Sequence, residues 1–448
     1  MILRTAAIVG SVTAAVLIHG AAVADTACDM APTPECAIDL AHASADQIGG
    51  PAAKATALTR IAVAEAAAGY VEQSDSSLAL AQLIADGSNL ADGLAESEYG
   101  PQNDEDIRAM LYQQIAAARA RSGASLAALS AVIDEAQDPE YELMLTFVSA
   151  QSLIESGRTD DARPLIERLV QQLDGDENSE RALAIRSSII MMYVQIGDLT
   201  KAKAMVGQLP DNDEMLMKVG LLLQIAEAQR TAGDEAGAES TLLAAEQSIP
   251  AIENTEMREM AGNMVSSMRT VTEKSETGSA QDSGSCPADL SPYGLAVDKA
   301  KFGYFAEAVE MALALENPDK RDSALSRISS LQSKDGQADG AYDTALMIAE
   351  PYSRSYALSE VVRMYAKEGN AEGVWFAAQS IEEEYARTNA LSESIAPLVA
   401  AGNPGGAAMI VGNMLDPAQR ATLYVTLAES LLMPEKEPAE GGGEPDPE

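Results

Sequence analysis

Two histidines, His19 and His42, and three cysteines, Cys28, Cys36 and Cys286, are the whole stock of imidazole and thiol in 448 residues. A Ser-His-Asp or Cys-His nucleophilic centre would have to use one of those two imidazoles, and common zinc sites, which draw on several His or Cys, lack ligands. Carboxylates are abundant, with 69 Asp plus Glu against 30 Lys plus Arg. Paired acids can hydrolyse glycosides, but sugar sites also need aromatic platforms, and aromatics make up only 4% of the chain. The run Asp174-Gly175-Asp176-Glu177-Asn178 opens like a calcium loop, yet Ser179 stands where that loop needs Gly and Ile185 where it needs its closing Glu. No Gly-rich loop followed by Lys and Ser or Thr offers a phosphate cradle. The sequence therefore nominates no catalytic, cofactor or metal residue, and the chain reads as noncatalytic with no cofactor.

The net charge of −39, with a pI near 4.2, excludes most nucleic-acid partners, because phosphate binding depends on basic patches. A hydrophobic fraction of 47% is enough to build a core, and its Ala and Leu content suits close-packed helices better than sheets. Arg4, the apolar stretch Ala6 to Ile18, Gly20 and the small-x-small site Ala22-Val23-Ala24 read as a secretory signal whose removal leaves Asp25 first. The apolar run is shorter than the roughly 20 residues that span a bilayer. No later segment is longer, so no transmembrane segment is expected in the mature chain, which is placed in the periplasm or secreted. Without the signal only His42 remains, in the amphipathic start Leu40-Ala41-His42-Ala43, where a surface or packing role fits. In an oxidising compartment Cys28 and Cys36, which flank a Pro-containing run, are a candidate disulfide, with Cys286 either free or competing.

The elements that carry these residues repeat. Gly303, Gly336, Gly369 and Gly402 recur every 33 residues, and so do Arg321, Arg354, Arg387 and Arg420. Ala324, Ala357 and Ala390, then Leu325, Leu358 and Leu391, keep the same phase, as do Pro318, Pro351 and Pro417, with Glu384 replacing one Pro. Each unit reads as two helices. Pro opens the first, a stripe such as Leu358, Val361, Val362 and Tyr365 gives it an apolar face, and Gly ends it. Five residues after that Gly, a small residue (Ala308, Ala341 or Ala407, with Val374 in one unit) lets the second helix approach closely. Pro51, Lys54, Ala57, Leu58, Ile61 and Gly69 match the same offsets. Gly123, Gly157, Gly197 and Gly233 are followed at five residues by Ala128, Ala162, Ala202 and Ala238.

The expected fold is therefore all-α, an α-solenoid of helix-turn-helix repeats of about 33 to 40 residues in two arrays. Residues 1–24 are the signal and 25–38 an N-terminal segment; 39–271 and 292–433 are the two arrays, joined by a polar linker at 272–291, and 434–448 is an acidic tail. Each array is expected to end on a lone helix, Glu256 to Thr270 in one and Ala418 to Leu432 in the other. Charge is uneven, at −21 over residues 39–271 and −8 over 292–433. The segment Asp86 to Asp106 holds seven acids and no base, and reads as a solvated insertion that could also attract a basic partner or cations.

These offsets resemble the tetratricopeptide-repeat family, which places a glycine at the hairpin turn and an alanine five residues later, as in Gly336 with Ala341 and Gly157 with Ala162. The repeats are degenerate, since the family's late proline would fall two residues after Pro318 and Pro351. The resemblance implies a superhelix whose first helices line a concave groove that holds a peptide or protein segment. Its register implies groove positions at Ser323, Ser326 and Ser330, then Tyr356, Ser359 and Arg363, then Asn389, Ser392 and Ala396. Hydroxyls and an amide there would bond an extended backbone, and Arg363 would fork onto a carboxylate. In the first array the same register implies Met110, Met144, Phe147, Met191 and Leu223, which as core residues would be equally ordinary. The resulting expectation is an exported interaction scaffold with a protein or peptide partner. The alternatives are a helical accessory module of a cell-envelope enzyme complex and a cation-dependent surface or adhesion protein.

Overall fold

The computed structural model describes residues 31–92, 103–134, 136, 138–173, 180–209, 215–276 and 291–432. The signal, Cys28, Cys286, most of the expected linker, the acidic tail and the middle of the 86–106 insertion lie outside these residues. Among the described residues there are 21 α-helices, one short 3-10 turn at Ile249–Ala251 and no strand. The fold is an all-α helical-repeat solenoid. None of the described helices is long and apolar enough to cross a membrane.

The described residues open on α1 (Pro34–Ala45), followed by the hairpin of α2 (Pro51–Ala67) and α3 (Val71–Ala85). Four more hairpins come next: α4 (Asp104–Arg121) with α5 (Leu126–Asp134), α6 (Pro139–Glu155) with α7 (Thr159–Gln172), α8 (Glu180–Gln195) with α9 (Leu199–Val206), and α10 (Met215–Thr231) with α11 (Glu235–Ser248). The long α12 (Thr255–Glu276) ends this half. The second half holds α13 (Pro292–Lys301) with α14 (Phe305–Leu313), α15 (Pro318–Lys334) with α16 (Ala338–Leu346), α17 (Pro351–Lys367) with α18 (Ala371–Gln379), α19 (Glu384–Ala400) with α20 (Pro404–Gly412), and finally α21 (Pro417–Leu432).

Each hairpin turn carries its anticipated glycine with positive φ, for example 77° at Gly336 and 72° at Gly369. An L-residue in that conformation sets its Cβ against the following carbonyl, at about 1–2 kcal/mol. The small residues five positions later are fully buried at Ala162, Ala202, Ala238, Ala308, Ala341, Val374 and Ala407. Ala128 is the exception: it is exposed and Leu129 takes the buried place, because α5 starts one residue later after its glycine than the other second helices do. A hydroxyl ties some hairpins across their interior, as where Ser329 Oγ donates to the Ala341 carbonyl at 2.9 Å and Ser74 Oγ to the Ala62 carbonyl at 2.7 Å.

The 33-residue arginine period also has a structural reason. Arg354, Arg387 and Arg420 each donate from Nη1 to a carbonyl six residues upstream, of Ile348 at 3.1 Å, Ile381 at 2.9 Å and Met414 at 2.8 Å. Those carbonyls sit in the connection leaving the previous second helix, so the guanidinium locks one repeat onto the next. Arg258, which lies outside the sequence periodicity, does the same to Ile252 at 3.0 Å.

The two expected arrays are one. α21 packs along α1, which fills the place of its missing second helix, and α21 also packs on α2 as the next first helix. The hairpin at this point is thus split between the two ends of the described chain. One buried apolar cluster runs from Ala296 to Ala428 and continues into Ala37, Ile38, Ala41 and Ile61. The lone-helix expectation holds for α12 and fails for α21, and α1 belongs to the array although the N-terminal segment was expected to extend to residue 38. At the other boundary α12 runs through Glu276, past the expected linker start at 272.

First helices pack on one another at every step, in the order α13, α15, α17, α19, α21, α2, α4, α6, α8, α10, α12, whereas side-by-side packing of second helices is confined mainly to α18 and α20. This makes the first-helix side the inner one. Connectivity demands that the row curve. A straight row of eleven helices at the usual interaxial spacing would hold its ends about 80–100 Å apart. The 15 residues 277–291 that join α12 to α13 can span no more than about 55 Å.

Arg420 adds two bonds that its counterparts cannot make, from Nε to Ser44 Oγ at 3.2 Å and from Nη2 to Gln47 Oε1 at 2.7 Å. Urea denaturation of the Arg420→Ala and Arg387→Ala proteins is expected to show the former less stable by about 1 kcal/mol, the worth of bonds across the split hairpin.

Candidate functional site

On the inner side, Ser323, Ser326 and Ser330 lie at spacings of three and four along α15 and so share one face. With Tyr293 from α13 and Tyr356 from α17 they line a cleft of about 410 Å³. The Tyr293 and Ser323 hydroxyls are 3.5 Å apart, and Tyr356 is 60% exposed. Three acids, Asp319, Asp322 and Glu350, complete the wall, with Arg327 also lining it.

The acids are built into the fold. Glu350 is the N-cap of α17, where its carboxylate accepts the Ser353 N–H at 2.6 Å and the Tyr352 N–H at 3.0 Å. Those donors, Ser353 first, hold the Glu350 pKa below the ordinary carboxylate range. The Glu350 N–H in turn donates to Asp322 Oδ2 at 2.8 Å, so α15 positions the start of α17 through a carboxylate. Asp322 is 5% exposed and its Oδ1 is buried without a partner.

Of the groove residues inferred from sequence, the structure brings Ser323, Ser326, Ser330 and Tyr356 together in this cleft. Ser359, Arg363, Asn389, Ser392 and Ala396 sit on α17 and α19 outside it, along the same inner row. Arg363 is not poised for a partner's carboxylate. Its guanidinium already lies 2.8 Å from Glu360 and 3.4 Å from Glu393, and Glu393 also accepts from Asn389 Nδ2 at 2.8 Å. Ser359 Oγ donates to its own helix, at the Ser355 carbonyl.

The apolar set from the first half divides. Met110 and Met144 are exposed, Phe147 and Met191 pack at the core edge, and Leu223 is buried. Met144 lines a cleft of about 820 Å³ with Tyr112 and Tyr141, whose rings meet edge to face at 6.1 Å. Burial, and secondarily Tyr112, raises the Tyr141 phenol well above its usual pKa. Met260, Met264 and Met268 of α12 line another cleft, of about 1000 Å³, with Leu223. A methionine stripe at helical spacing was the available sequence signal for this last cleft.

His42 packs as the sequence suggested. Its Nε2 lies 2.8 Å from Oε1 of Glu65, a buried residue on α2, and the pair joins α1 to α2. Cys36 is disulfide-bonded; Cys28 and Cys286 both lie outside the described residues. At the described ends of the acidic insertion, Asp104 accepts the Asn89 and Ala91 N–H groups, and Asp86 accepts the Tyr112 hydroxyl. Three acids or imidazoles do not converge into a metal-binding group anywhere among the described residues.

No protein-family model matches the chain, and no curated protein is similar to it. Among solved structures, the crystal structure of Ton1535 from Thermococcus onnurineus NA1 aligns at 17% identity over 80% of this chain and 94% of that one. The TM-score is 0.22, too low for the likeness to carry an argument.

Because the folded state lowers the Glu350 pKa from 4.5, this carboxylate stabilises the fold above that pH and stops doing so as pH falls through the lowered value. Glu350→Ala is expected to melt below wild type at pH 7, with the gap narrowing in melts taken below pH 4.5.

Proposed function

We propose that the chain is an exported, noncatalytic scaffold of tetratricopeptide-like repeats that binds an extended peptide or protein segment along its inner row of first helices. The cleft of Ser323, Ser326, Ser330 and Tyr356 carries this reading. Serines at the spacing of one helix face offer hydroxyl donors and acceptors along a line, and an extended backbone offers the matching groups along its own length. The exposed Tyr356 ring adds a large contact surface that loses little side-chain freedom on binding. Export rests on the Arg4-to-Ala24 signal pattern and is supported by the disulfide at Cys36, a bond that persists in oxidising compartments.

The commitment of Arg363 to Glu360 and Glu393 changes the kind of partner expected. The inner surface of α15, α17 and α19 offers acceptors and hydroxyls, and its one expected carboxylate fork is occupied. A segment with basic or neutral donors suits it better than an acidic one.

A photo-crosslinking residue at Ser326 is expected to trap a discrete partner in cells, while the same label at Glu310, exposed on α14, traps none. In a pull-down quantified by mass spectrometry, Ser330→Trp, which fills the cleft, is expected to lower recovery of that partner about tenfold or more, equivalent to roughly 1.4 kcal/mol. Equal trapping from both label positions would sink the placement.

A further inference from the structure

We propose that the bound segment inserts a cationic N–H donor, a primary ammonium or a guanidinium, against Asp322 in the serine cleft. This rests on the groove reading above and specifies what the groove selects.

Asp322 is an anomaly in its own repeat. The residue one position after the periodic arginine is Ser355, Thr388 or Ala421 in the following units, Ala55 follows Lys54 in the first half, and Glu259, which follows Arg258, is exposed rather than buried. Of these, Ser355, Ala421 and Ala55 are as buried as Asp322 or more so. Packing at this position therefore needs only a small side chain. A carboxylate here is removed from water, and a buried acceptor left without a donor is destabilising, more so when it is charged. One of its oxygens is used by the Glu350 N–H; the other, Oδ1, has no partner among the described residues.

The surroundings define the missing donor. Asp319 and Glu350 share the cleft with Asp322, giving three carboxylates against the single cation Arg327. An incoming anion would meet this excess of like charge, whereas an ammonium or guanidinium would find a charge-assisted acceptor at Oδ1. The cleft, at about 410 Å³, has room for a lysine or arginine side chain. Tyr356, exposed at the opening, supplies an aromatic face over which such a cation is attracted.

The test uses the full chain and fluorescein-labelled Gly/Ser dodecapeptides followed by fluorescence anisotropy. Three have blocked termini and carry a central Lys, Arg or Nε-acetyl-Lys; a fourth has a free N-terminal amine and no Lys. Wild type is expected to bind the Lys or Arg peptide about tenfold more tightly than the acetyl-Lys peptide. Tighter binding of the fourth peptide than of acetyl-Lys would also support the proposal, with the terminal amine as the donor. Asp322→Ser, the residue the next repeat uses, is expected to abolish the preference with helicity unchanged. Should that variant fail to fold, Asp322→Asn, which retains an acceptor for the Glu350 N–H, decides the same question. A preference that survives the loss of the charge overturns the proposal. So does wild-type binding of the Lys, Arg and free-amine peptides all no tighter than the acetyl-Lys peptide; if Ser330→Trp abolishes that undiscriminating binding, the groove reading stands alone. Binding of no peptide overturns both.

Discussion

The structure depends first on a chain reversal between paired helices that only glycine makes at little cost. At Gly336 and Gly369 the backbone adopts φ near 75°, and the second helix then returns close enough that Ala341 and Val374 at the contact are fully buried. Helices paired this way present one apolar stripe to each other and another to the next pair, so no hairpin is stable alone. The recurring arginines address that second need. By gripping a carbonyl in the connection behind them, Arg354, Arg387 and Arg420 fix the angle between consecutive pairs, and the curvature of the inner surface follows from that angle.

The same surface is where polar groups gather without a purely structural reason. Ser323, Ser326 and Ser330 occupy the face of α15 that a globular protein would either bury or cover with charge. Asp322 beneath them does have a structural task, since it orders the Glu350 cap of α17, but that task uses one oxygen of two. The neighbouring Arg363 shows the opposite arrangement, a charge satisfied within the protein by Glu360 and Glu393. Along one row of helices, the surface thus passes from a segment with unspent acceptors to one that is electrostatically closed.

The helical hairpins, their glycines and most of their small contact residues were legible in the sequence because local spacing dictates them. Ala128 misled because one extra residue in the Gly123 turn shifts the inward position to Leu129, and a fixed offset cannot register such a shift. The union of the two arrays was not legible: α1 and α21 lie at opposite ends of the described chain, and each reads as an ordinary amphipathic segment with no mark of its partner. Within the site, Ser323, Ser326, Ser330 and Tyr356 followed from register, but the neutralisation of Arg363 required knowing that Glu393 of the next first helix comes within reach. Asp322 was visible all along as a mismatch among Ser355, Thr388 and Ala421, a signal that appears only when repeats are compared position by position.

The split hairpin has a consequence for biosynthesis. A ribosome makes α1 well before α21, so until α21 emerges Ala37, Ile38 and Ala41 have no α21 to cover them. A product truncated before Pro417 lacks α21 and so keeps that apolar face bare. Synthesis of α21 is thereby coupled to closure of the array.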